Sequence, residues 1–68
     1  MLRNNVYNLM LQMVQESKSI HRIRNEYTKD AVGADDIMDM WRALEKEKEA
    51  TVEKIQELIK KYNVASNV

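Results

Sequence analysis

The chain has no cysteine, no proline, no phenylalanine, a single glycine and no net charge. Without cysteine, disulfides and thiolate zinc sites are excluded, and these are two of the usual supplements to a small core. Without proline, and with glycine at one place only, nothing interrupts long helices elsewhere, and 32 % charged residues fit helices better than sheets. Eleven Lys plus Arg balance eleven Asp plus Glu, so no overall field draws the molecule onto nucleic acid or an anionic membrane. There is also no long apolar run. The opening stretch MLRNNVYNLMLQMVQESK breaks its apolar residues with Asn, Gln and Arg, unlike a signal-peptide core or a membrane-spanning helix. The expectation is a soluble, cytoplasmic protein with no membrane contact.

At 68 residues the chain forms one domain, and a single core of that size supplies no more than about 3 to 5 kcal/mol. Oligomerisation or a carboxylate-bound metal is the supplement that remains.

The apolar residues that are present recur at helical spacing. Val6, Met13, Ile20 and Tyr27 repeat every seven residues, with Leu9, Met10 and Ile23 between them, which predicts a first helix over about 2–29. Gly33, in KDAVGADD, marks a turn over 30–35, where it takes the left-handed conformation that ends a helix. Asp35 or Asp36 then caps the second helix, predicted over about 36–62 with a frayed tail over 63–68. The stripe of the second helix reads Ile37, Trp41, Leu44, Lys48, Thr51, Ile55, Leu58, Tyr62, widened by Met38, Val52 and Ile59. The expected fold is all-α: an antiparallel two-helix hairpin. Tyr7, Leu11 and Val14 form a second apolar strip off the main stripe, and Met40 also lies off it. Covering these four by a second copy gives a homodimeric four-helix bundle, with a different helical protein as the competing partner.

Lys48 and Thr51 are polar residues at stripe positions. Glu16 stands 17 residues before Gly33, and Lys48 and Thr51 stand 15 and 18 after it, so folding about the turn brings the three to one level. Glu16 interrupts the first stripe, three after Met13 and four before Ile20. Apolar residues flank the level on both sides, and this arrangement predicts a polar core layer of Glu16, Lys48 and Thr51. A buried charge needs a partner, so Glu16 and Lys48 are expected to pair, and the layer to fix register in the manner of polar residues in coiled-coil seams. The competing reading of Lys48 is a side chain whose stem lines the seam while its head reaches water.

EKEKEATVEKIQEL resembles the second-helix segment of the ferritin-like and rubrerythrin-like carboxylate proteins, and Glu16 resembles their first-helix Glu. The resemblance implies a half-bundle in which Lys48-Glu49-Ala50-Thr51 stands where Glu-x-x-His holds a di-metal centre. Both ligand positions of that motif have changed. An ammonium has no lone pair and a threonine is a poor ligand for iron, so the ammonium takes the place of metal charge opposite Glu16. The alternative that the resemblance leaves is a carboxylate site from Glu16, Glu45 and Glu49 at a dimer axis, taking iron or another divalent metal.

Three further features have simpler structural readings. His21, five residues from Glu16 and on a different side of the helix, reads as a partly exposed structural residue. Lys18, Arg22 and Lys29, with Asn25 between, form a basic strip that could meet phosphate or an acidic partner. Before Gly33 stand five basic and three acidic residues, and after it six and eight, so the strip also reads as a solvated face whose helix complements the other. Trp41 and most of the methionines read as packing near the turn. With no nucleophile-base pair, phosphate loop or zinc motif, the expectation is a non-enzymatic assembly or interaction module that does not bind nucleic acid.

Overall fold

The computed structural model describes residues 2–66. It is all-helical, with no strand among the described residues. The first arm runs through α1 (Leu2–Arg22), a π-helical turn (Ile23–Tyr27) and α2 (Thr28–Asp30); the second arm is α3 (Asp35–Ser66). The second arm therefore continues through the stretch expected to fray from residue 63, since no Gly or Pro breaks the backbone there. Residues 67 and 68 of the expected tail lie outside the described residues. None of the described helices is long and apolar enough to cross a membrane.

Between the arms Gly33 has φ of 93°, and Ala34 N–H donates to the Ala31 carbonyl at 2.9 Å. Met38 N–H donates to the Ala34 carbonyl, and Asp36 Oδ1 accepts from Ile37 N–H at 2.9 Å, so the acidic start of α3 satisfies a backbone donor in its own first turn.

The molecule is a rod of 53 × 14 × 14 Å, two helices thick. That thickness explains why burial is sparse: only Val6, Ile20, Ile23, Ala31 and Ile55 are buried among the described side chains. On the first arm the covered line is Val6, Leu9, Met13, Glu16, Ile20, Ile23 and Tyr27, in alternating steps of three and four. On the second arm it runs from Ala34, just before α3, through Met38, Trp41, Glu45, Lys48, Val52, Ile55, Ile59 and Tyr62, in the same steps. Tyr27 and Trp41 rings meet across the arms with centroids 4.8 Å apart.

Three stripe assignments need correction, because Met10, Ile37 and Thr51 are exposed. Ile37 and Thr51 sit on one flank of α3, while contact with the first arm comes on the other flank, where Glu45 and Glu49 are half-buried instead.

The π-turn was not expected from the sequence. Thr28 N–H reaches back to the Ile23 carbonyl, one residue further than in an α-helix, and the Thr28 hydroxyl donates to the Arg24 carbonyl at 2.9 Å. Asn25 Nδ2 donates likewise to the His21 carbonyl at 2.9 Å. One surplus residue in a turn shifts the phase of all that follows by about 100°. Counting seven on from Ile23 would place Asp30 against α3; with the surplus residue Ala31 takes that place, 4 % exposed, and Asp30 faces solvent.

At Gly33 an added Cβ would meet nothing within 4 Å, so any effect of alanine there is purely one of backbone conformation. Gly33→Ala is expected to lower unfolding free energy by about 1 to 2 kcal/mol in urea titration, whereas D-alanine at the same position is expected to be neutral or stabilising. Equal stability of the two alanine forms would contradict the left-handed turn.

Candidate functional site

Glu16 and Lys48 meet. Lys48 Nζ donates to Glu16 Oε2 at 2.9 Å, and Gln12 Nε2, one turn earlier on α1, donates to Glu16 Oε1 at 3.1 Å. Both carboxylate oxygens are thus engaged, and the two ionic side chains are 22 % and 18 % exposed, respectively for Lys48 and Glu16. Partial burial strengthens the attraction over that of a surface pair, while the remaining access to water limits the desolvation cost. Among the described residues no buried side-chain nitrogen or oxygen lacks a partner.

Thr51 does not join the layer. It is exposed, and its hydroxyl donates to the Glu47 carbonyl at 3.0 Å on its own helix. A threonine can satisfy itself against the preceding turn in this way, so its polarity does not require a partner across the arms.

A second cross-arm cluster lies toward the turn. Arg24 Nε donates to Glu45 Oε2 at 2.8 Å, and its Nη2 donates to Glu49 Oε1. Glu45 and Glu49 are four residues apart on one face of α3, so a single guanidinium reaches both. Arg24 in turn holds the Glu45 carboxyl below the ordinary carboxylate range, chiefly through that hydrogen bond, and the guanidinium itself is raised. Glu16, Glu45 and Glu49 are therefore divided between two cations within one chain, and among the described residues no group of three His, Asp or Glu side chains is placed to hold a metal ion. His21 is exposed, with Asn25 Nδ2 3.2 Å from its Nδ1.

Four contributors escaped the sequence reading: Gln12, Arg24, Asn25 and Thr28. Arg24 carried a usable signal, because it stands 9 residues before Gly33 while Glu45 stands 12 after it, roughly one level. The other three act within their own helix, where many polar residues could do the same.

Of the residues expected at an oligomer contact, Tyr7, Leu11, Val14 and Met40 are all exposed, at 57, 50, 45 and 47 %. No family model, no curated protein and no solved structure matches the chain.

The Glu16 carboxyl lies below its ordinary range, first because Lys48 donates to it, against the opposing effect of burial, and with smaller help from Gln12. A folded-state value below the unfolded one, about 4.3 for glutamate, gives stability that is complete above the unfolded value and is lost as pH falls through the folded one. Thermal midpoints are expected to drop as pH falls below about 5, and Glu16→Gln to flatten part of that drop, leaving the share due to Glu45. Superimposable pH profiles for the two proteins would contradict the assignment.

Proposed function

We propose that this protein is a small non-enzymatic assembly module in which the two arms form an antiparallel hairpin and two hairpins pair about a two-fold axis as a four-helix bundle. The order of cross-arm contacts supports the hairpin: from Glu16–Lys48 through Arg24–Glu45 to Tyr27–Trp41, the first partner advances along the chain as the second retreats.

The observation that carries association is the strip of Tyr7, Leu11 and Val14, which stays exposed on α1 beside a core of five buried residues among the described side chains. Met10 extends it. Apolar side chains at spacings of three and four make a continuous face, and a face on one helix can cover its own copy across a two-fold axis. Self-pairing both removes this face from water and thickens the rod, which is what a core this small requires. Met40 sits near the turn, well along the rod from this strip.

In this reading the Glu16–Lys48 pair selects register. An apolar seam without it would tolerate slippage by a heptad, whereas a slipped pairing leaves an unpaired charge against apolar neighbours.

Light scattering coupled to size exclusion is expected to give about twice the 8.0 kDa chain mass, and Leu11→Glu to give single chains of reduced helicity. The double variant Glu16→Leu with Lys48→Leu is expected to keep or gain stability while populating several assemblies. A wild-type protein that stays a single chain at high micromolar concentration would contradict the pairing, and one uniform assembly in the double variant would contradict the register role.

A further inference from the structure

An open groove of about 870 Å³ runs between the arms at the turn end of the rod. Two carboxylates line it, Glu45 and Glu49, and Arg24 holds both. The other charges that line it are Lys29, Arg42 and Lys46, and among the described residues none of these three makes an ion pair or a side-chain hydrogen bond. Four cations against two carboxylates leave a local excess of positive charge in a molecule whose net charge is zero. Val32, the most exposed large apolar residue among those described at 77 %, and the half-buried Met38 supply apolar surface in the same groove.

The π-turn builds this groove. On a straight helix Lys29 would continue the strip of Lys18 and Arg22, as its spacing of seven from Arg22 suggests. The surplus residue rotates the helix after it by about one position, which carries Lys29 round to the side of Arg42 and Lys46, and Val32 joins them from the turn. Two side chains on the first arm, Asn25 and Thr28, hold the irregular backbone through their bonds to the carbonyls of His21 and Arg24. A turn of this kind is a costlier backbone than α-helix, and such turns recur at functional sites.

We infer that the groove binds a short acidic segment of a partner protein, one in which Asp or Glu side chains alternate with apolar ones. The carboxylates of such a segment meet Lys29, Arg42 and Lys46, and its apolar side chains cover Val32 and Met38. Nucleic acid fits less well. Three free cations neutralise only about three phosphates, a weak basis for binding a polyanion, and the apolar part of the groove would have no role. The groove shares no residue with the strip of Tyr7, Leu11 and Val14, which lies toward the other end of α1.

The test uses the full chain and a fluorescein-labelled peptide of about eight residues alternating glutamate with leucine, followed by fluorescence anisotropy at low salt. Saturable binding is expected, weakened about tenfold or more when glutamine replaces glutamate in the peptide, and similarly by the triple variant Lys29→Glu, Arg42→Glu, Lys46→Glu. Circular dichroism is expected to show the triple variant as helical as wild type, because the replaced side chains hold no partner; should it unfold, Lys29→Glu alone carries the same expectation with a smaller loss. Val32→Ser weakens binding by several-fold. The inference is overturned by an absence of saturable binding, by a folded charge-reversed variant that binds as wild type does, or by an oligothymidylate of equal charge binding as tightly as the peptide.

Discussion

A rod two helices thick can hide only one line of side chains on each arm, and everything else in this molecule follows from that limit. Among the described side chains five are buried, and the rest of the line is half-covered. Because so little is apolar and dry, a charge placed in the middle of the line is tolerated: Glu16 and Lys48 keep some access to water while meeting at 2.9 Å. In a thick core the same pair would face a desolvation cost of several kcal/mol per ion. The thinness that limits burial also makes the ionic pair tolerable, and in the proposed pairing a second copy over the α1 strip would supply further burial.

The π-turn shows a second consequence of the thin seam. An arm must keep its apolar side turned to its partner along the whole length, and a helix that would bring Asp30 to that side loses its cover near the turn. One surplus residue restores the phase and brings Ala31 to the covered side instead, with Lys29 on the groove side. Local irregularity and seam continuity are thus two results of one surplus residue. Arg24, within the irregular turn, ties it to Glu45 and Glu49 on α3.

Much of this was legible in the sequence because the seam is written in heptads. The two arms, the turn at Gly33 and the meeting of Glu16 with Lys48 follow from period and from distance to the only glycine. Thr51 shows the limit of that reasoning: a hydroxyl can bond to its own helix, so a polar residue at stripe spacing does not have to point inward. Ile37 and Met10 show another. On a narrow seam the choice between two neighbouring positions depends on which flank meets the partner, and that is decided across the arms, by contacts such as Arg24 with Glu45, rather than along either one. The π-turn left no periodic trace before Tyr27, since only Ala31 and the residues beyond it reveal the shift.

The central claim is that one chain buries too little to stand alone and is completed by another copy. The most direct measurement is the thermal midpoint as a function of protein concentration. If folding and pairing are one process, the midpoint rises steadily as concentration is raised about a hundredfold, by mass action. A sharp, fully helical transition whose midpoint stays the same across that range would contradict the account.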